Sequence, residues 1–289
     1  MKICIAGASG FIGRNLVNDL RLDKHEIYTI GRKDFREKTV GMRLMDCECV
    51  INLCGESIAG IWTNIKKKRI FESRVNTTKI LVEQVNQVGI KVRIFISISG
   101  IGIYDRNHNH NERSLFFTDN FLADLIKDWE GSLKGINDNK IRIVVLRLGV
   151  VLGKNGGIMK KILIPFRLGF GFIIKSKESF SFIHILDLIN VFRLVIHDNS
   201  LSGVVNVLSK EKVTIQDFFY AIGDTLKGKV RIPVSPEFFK CMMGESSLIL
   251  TEGQDVVPEV LIKKGFDFKF QGIREVLGNL LIDQRVSGE

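Results

Sequence analysis

No stretch of the 289 residues is apolar for long enough to span a bilayer, and the first residues read as a fold element rather than a leader. A membrane anchor and a signal peptide are therefore not expected, and a cytoplasmic setting is. Cysteine is scarce. The five (Cys4, Cys47, Cys49, Cys54 and Cys241) are an odd number without framework spacing. That excludes a disulfide scaffold and fits reduced thiols. Histidine is equally scarce, and no cluster stands beside Cys47 and Cys49, so no metal site is expected. His108 and His110 lack further ligands and read as part of a surface connection. Internal repeats and low-complexity segments are missing as well. Hydrophobic residues, by contrast, make up 45% of the chain, enough for a large core as one domain or one domain with a lobe.

The formal net charge is +10, but lysine and arginine are spread along the chain. Their one dense run, Lys66-Lys67-Lys68-Arg69, opens a helical pattern without aromatic interleaving. A solvated face explains it first and an anionic ligand second; no nucleic-acid or membrane partner is expected. A small-molecule substrate is, and a homodimer is compatible with the sequence.

The amino terminus carries the strongest signal. Ile3 to Ala6 reads as a buried strand, followed by glycines at 7, 10 and 13 and a helical stretch from Arg14 to Leu22. In this context Gly7 allows a tight turn and Gly10 lets backbone approach a pyrophosphate. Gly13 lets the helix pack closely on the strand, and the helix amino terminus offers free N–H groups to the phosphates. This is a dinucleotide-binding start. After the second strand, Glu26 to Ile30, the chain reads Gly31-Arg32-Lys33. A carboxylate at this place would hold a ribose 2′-hydroxyl, whereas a cation suits a 2′-phosphate. NADP(H) is therefore favoured over NAD, and the alternative reading of Arg32 is a solvated basic turn.

Probable strands recur at 2–6, 26–30, 49–54, 93–98 and 141–147, with helical patterns between most of them. The fold class expected is α/β, a Rossmann-type doubly wound parallel sheet with a smaller C-terminal substrate lobe. The gap from Arg32 to Asp46 is short for a strand-helix unit, so the third strand is abbreviated or missing. The dinucleotide domain is expected over 1–153, its sheet completed by parts of 182–208. The lobe takes 154–181 and 209–289, and lies over the carboxyl ends of the strands, where substrates bind in such sheets. From Ile65 to Val88 the apolar residues Ile70, Phe71, Val75, Leu81, Val82, Val85 and Val88 share one helix face, and Arg74 lies inside that stripe. An unpaired internal charge costs several kcal/mol by order of magnitude, so Arg74 must meet a carboxylate, backbone carbonyls or a bound anion. An internal ion pair and a ligand-facing arginine both remain open.

These features resemble the extended short-chain dehydrogenase/reductase superfamily, and within it an atypical "epimerase family" branch with its own C-terminal domain. Ala6-Gly-Ala-Ser-Gly-Phe-Ile-Gly13 resembles Thr-Gly-x-x-Gly-x-x-Gly, with alanine for threonine. Val50-Ile-Asn-Leu-Cys-Gly-Glu56 resembles the branch's Asn-Leu-Ala-Gly-Glu. Ser73 to Thr78, Phe121 to Asp124 with Trp129-Glu130, and Arg147 to Gly153 follow in order, then Pro165 to Gly169 and Phe182 to Asp187. Gly244-Glu245, Val257-Pro258 and Gly265 to Phe268 match the tail. The resemblance implies cofactor contacts at Gly7, Ser9, Gly10, Phe11, Ile12, Gly13, Arg32, Leu53, Cys54, Gly55 and Arg74, with Glu56 and His184 on the substrate side.

Ordinary members of the superfamily use a tyrosine and a lysine four residues on. The matching helix here, Asp119 to Leu133, has no tyrosine; the two positions hold Leu122 and Ile126, and Lys127 projects away from them. The superfamily's helix asparagine is replaced by Arg74. Ser99, closing the strand Phe95-Ile-Ser-Ile-Ser99, resembles the serine that bonds a substrate carbonyl or alcohol; a strand-end serine bonding backbone is the alternative. Tyr104 is the only tyrosine near that strand end and the second catalytic candidate, though without a partner lysine. His184 and Asp187 resemble a His-x-x-Asp segment that fixes a strand-to-helix junction, the role favoured here over acid/base work. Two functions follow: an NADP(H)-binding oxidoreductase or epimerase-like enzyme acting on a small polar substrate, or a non-catalytic NADP(H)-binding sensor.

Overall fold

The computed structural model describes residues 1–88, 91–137, 140–154, 156–226 and 230–282. Its centre is a parallel sheet of six strands, β1 (Lys2–Ala6), β2 (Glu26–Ile30), β3 (Cys49–Asn52), β4 (Ile94–Gly100), β5 (Arg142–Leu148) and β6 (Gly203–Val207), in the spatial order β2-β1-β3-β4-β5-β6. Order reverses beside β1, which opens the crevice where ligands bind in doubly wound sheets. As expected from the short gap, no third strand-helix unit stands between β2 and β3. Two short helices, Arg32–Arg36 and Val40–Leu44, bridge β2 to β3 instead, and β2 is left at the sheet edge.

Strand residues alternate between two buried faces, as a parallel sheet covered on both sides requires. Ile3, Ile5, Cys49, Ile51, Ile94 and Ile96 pack with Leu16, Val17 and Leu20 of α1 (Phe11–Leu22) and with Leu188, Val191, Phe192 and Val195 of the helix Ile185–His197. Cys4, Ala6, Val50 and Phe95 point the other way, onto Val40, Leu44, Leu81, Val82 and Val85. The long helix predicted over 65–88 is Asn64–Phe71, a π-helical turn at Glu72–Asn76, and Thr77–Val88. Arg74 sits within that π turn, a local widening often found at functional sites.

A second core accounts for the phenylalanines crowded after Gly153. Phe166, Phe172, Phe180, Phe182, Phe218 and Phe219 gather with Ile273, Val276, Leu277 and Leu280 of the helix Ile273–Leu281. Phe180 stacks on Phe218 with ring centroids 4.0 Å apart. The strands Phe170–Ile174 and Val230–Val234 pair in parallel at its rim. Val150–Leu152, just after β5, pairs in parallel with Phe182–His184 as a separate two-stranded sheet.

The 108–110 segment differs from expectation. Asn109–His110 forms a short strand against Asp255–Val256, and His110 is buried under the Tyr104 ring, centroids 4.7 Å apart. Only His108 stays at the surface, stacked on Phe116. No group of ligating side chains that could hold a metal ion occurs among the described residues. No described helix is long and apolar enough to cross a membrane.

Candidate active site

The three glycines of the first turn are there for want of space. Gly7 has φ +83°, and a Cβ on it would lie 2.7 Å from the Leu53 carbonyl oxygen. A Cβ on Gly13 would lie 2.5 Å from the Gly7 carbonyl oxygen, so any larger residue would push α1 off β1. No side chain caps the amino terminus of α1 at Gly10, which leaves its leading N–H groups for an anion. The glycine run after Leu152 has a related cause: Cβ atoms on Gly153 and Gly156 would collide with the Phe11 ring, at 2.5 and 1.9 Å.

From this loop a cavity of about 600 Å³ runs along the carboxyl edge of the sheet. Gly7, Gly10, Phe11, Ile12 and Gly13 open it; Leu53, Cys54, Gly55, Glu56, Arg74 and Ser99 continue it. Ile215, Leu248, Glu252, Gly253 and Gln254 of the C-terminal lobe close the far wall. Leu122 and Ile126 also line it, their methyl groups against Gly102 and Gly100. Among the described lining residues there is no tyrosine, lysine or histidine.

Ser99 is nearly buried, and its Oγ donates to Glu130 Oε1 at 2.6 Å. Glu130 is fixed in turn by Arg147, through Nε at 2.8 Å and Nη2 at 2.6 Å, a bidentate pair that leaves the carboxylate no freedom to turn. Burial opposes the charge on Arg147, but Glu130 more than restores it, so Arg147 stays protonated. With its proton directed to Glu130, Ser99 turns a lone pair toward the cavity and is set to accept a hydrogen bond from a ligand hydroxyl.

Arg74 lines the cavity and lies over Trp129, its Cζ 5.3 Å from the ring centroid. Its Nη1 donates to the Glu56 carbonyl at 3.0 Å and the Ile70 carbonyl at 3.3 Å. Burial lowers its pKa to about 10. Glu56 faces the cavity too, but its carboxylate is engaged by Lys66 at 2.9 Å and Arg32 at 3.3 Å, and Lys66 above all holds its pKa below the usual value. Arg32 itself reaches out from the end of β2 and is almost wholly exposed. Burial raises the Cys54 thiol to about 12, so it is no nucleophile at neutral pH.

Four expected site residues do not line the cavity: Ser9 and Arg32, both exposed outside it, and Tyr104 and His184. Tyr104 is fully buried beneath it: Asn206 Oδ1 and the Asn111 carbonyl, both at 3.1 Å, share its single hydroxyl proton, and its oxygen accepts from Arg147 Nη1 at 2.8 Å. Burial raises its pKa, and the hydroxyl belongs to the support behind Ser99 rather than to a reacting centre. His184 caps the helix Ile185–His197, its Nδ1 accepting from the Leu186 N–H at 3.2 Å, and lies on Phe270. Asp187 accepts from the Lys269 and Phe270 N–H groups at 2.8 and 3.1 Å. Together they tie the tail to the helix; His184 is structural, not substrate-side. Sequence reasoning did not anticipate the Glu130–Arg147 pair, although a lone arginine late in the apolar run Ile143 to Leu148 is a signal for a buried partner.

The glycine turn, the reversed strand order and the cavity closed by a second lobe define a Rossmann-type protein of the extended short-chain dehydrogenase/reductase class. Residues 3–123 match the NAD dependent epimerase/dehydratase family, and residues 236–280 match a domain of unknown function, DUF1731. The chain is 30% identical to the epimerase family protein SDR39U1 of Mus musculus, over 97% of this chain and 100% of the mouse protein. It is 28% identical to the epimerase family protein YfhF of Bacillus subtilis, over 99% of each chain. The crystal structure of human epimerase family protein SDR39U1 (isoform 2) with NADPH superposes with a TM-score of 0.90, at 27% identity, over 98% of this chain and 100% of the human one. The chain therefore belongs to this epimerase family.

Proposed function

We propose that the chain binds NADP(H) along the carboxyl edge of the sheet and exchanges hydride with a small polar molecule held beneath the C-terminal lobe. The observation that carries this reading is the continuity of one cavity from the Gly7–Gly13 turn, past Ser99, to Glu252 and Gln254. The turn and the uncapped α1 terminus suit a pyrophosphate, and Arg32 suits a 2′-phosphate, which would compete with Glu56 for its guanidinium. The NADPH of the human relative supports the same choice. When bound, the dinucleotide supplies the hydride donor or acceptor. This chain's own part is to orient the substrate hydroxyl on Ser99 and to exclude water with Leu122 and Ile126. The buried thiols of Cys4, Cys47, Cys49 and Cys54 fit a reducing, cytosolic setting.

Titration with NADPH and NADH, then turnover against alcohols and carbonyl compounds, tests the reading. Submillimolar NADPH affinity with measurable turnover is expected; failure to bind NADPH sinks it. A cofactor-sensing role without catalysis is the second reading. It is favoured by the cavity wall, whose described residues carry no tyrosine, lysine or histidine to move a proton, and tight NADPH binding without turnover would select it.

A further inference from the structure

Among the described residues, the charged side chains on the cavity wall are those of Glu56, Arg74 and Glu252. Both carboxylates are already neutralised from outside it. Glu56 has Arg32 and Lys66; Glu252 has Lys240 at 2.8 Å and Arg106 at 3.7 Å. Arg74 has no such partner: among the described residues no carboxylate lies within ion-pair distance of it, and its hydrogen bonds go to the backbone carbonyls of Glu56 and Ile70. The site is shaped around it nonetheless. A Cβ on Gly55 would stand 2.9 Å from the Arg74 Cζ, so the guanidinium packs directly on the loop backbone and a side chain there would displace it. The Trp129 ring supports the opposite side. With a pKa near 10, Arg74 remains protonated at neutral pH. A half-buried cation without a counter-ion carries a desolvation cost, and a bound anion relieves it.

We infer that Arg74 is a subsite for a carboxylate or phosphate group of the substrate, so that the molecule taken up beside the dinucleotide is an anion rather than a neutral alcohol. This deepens the proposed function and rests on it. The glycine turn and Arg32 offer the cofactor's phosphates other partners. Arg74 packs on Gly55 after β3 and against Trp129 of the helix Phe121–Gly131, whose next residue, Glu130, holds Ser99. An anion on its fork would sit in the same cavity as Ser99, where the reacting hydroxyl is expected.

The test is thermal-shift titration of the NADPH-saturated protein with acetate, pyruvate and inorganic phosphate at constant ionic strength, beside neutral acetamide and glycerol. At least one anion is expected to stabilise the protein while the neutral compounds do not, and the anion that acts distinguishes a carboxylate from a phosphate site. Arg74→Met should raise the half-saturating anion concentration about tenfold or more, as loss of a charge-assisted pair implies. NADPH affinity, measured separately, should fall less than anion affinity, even though Arg74 packs on Gly55 at the cofactor loop. Arg74→Lys keeps the charge without the fork and gives a smaller loss in the same direction; it serves alone if Arg74→Met does not fold. No response to any anion, an unchanged response in both variants, or a loss of NADPH affinity as large as the loss of anion affinity overturns the inference. Failure of the unsubstituted protein to bind NADPH overturns the proposed function, and this inference with it.

Discussion

Arg32, exposed beside Glu56 at the cavity's edge, and Ser99, on its wall, can each be tested alone. The Arg32 guanidinium lies 3.3 Å from Glu56 and is otherwise free in solvent, so a 2′-phosphate would have to draw it away. Arg32→Glu should weaken NADPH binding by about tenfold or more and NADH binding far less, because only the first loses a charge-assisted bond. Equal affinities for the two nucleotides in the unsubstituted protein would sink the preference. Ser99→Ala removes a hydroxyl while leaving Glu130 bidentate on Arg147, so the fold should persist. If the protein turns over a substrate, kcat should fall while NADPH affinity is nearly unchanged. Ordinary turnover should already be low, since general acid/base catalysis is typically worth about 10²–10⁴-fold and Leu122 and Ile126 supply none. Full activity in Ser99→Ala would move the chemistry elsewhere.

At the scale of the element, the helix Ile185–His197 shows a motif histidine at structural work. His184 caps it as a neutral ring, and burial depresses its pKa from 6.5 to about 4. In the unfolded chain the ring protonates first as pH falls, so its contribution to stability is full above about pH 6.5 and lost progressively toward pH 4. The loss is on the order of 3 kcal/mol when complete, from a shift of two to three pKa units. Burial raises the pKa of Asp187, which acts in the opposite sense at lower pH. His184→Asn keeps a capping oxygen and removes the titration, so its melting temperature should fall less between pH 7 and pH 5 than that of the unsubstituted protein. An identical pH dependence would mean that His184 is not the titrating group.

Across the whole molecule, the two lobes meet over the cavity through charge as well as core. Lys67, in the basic run read from sequence as a solvated face, pairs with Glu245 of the tail and lies over Phe121. Lys66 turns to Glu56, and Lys68 pairs with Glu72 along its own helix. The run is therefore partly a lobe contact. Half-exposed pairs of this kind are worth about 0.5–1 kcal/mol and weaken with salt. Lys67→Glu and Glu245→Lys should each lower stability, and the double exchange should recover most of the loss at low ionic strength. A coupling energy near zero in that cycle would mean the pair does not join the lobes.

What the sequence by itself determined is what depends on neighbours along the chain. Gly7 and Gly13 announced a turn too tight for any Cβ, strand spacing announced a parallel sheet with one unit missing, and the helix over 121–131 showed itself to hold no tyrosine. An arginine inside an apolar stripe announced a buried cation, though not what it would meet. Only the tertiary structure decided which way Tyr104, His110 and His184 point. Each is polar and aromatic, and each could face a ligand or fill the interior. The choice fell to partners remote in sequence: Asn206, 102 residues from Tyr104, and Arg147, 43 away, turn its hydroxyl inward, and Phe270 covers His184. Pattern is local because backbone geometry repeats every few residues; burial of a polar side chain depends on whichever distant group satisfies its hydrogen bonds, and folding alone brings that group near.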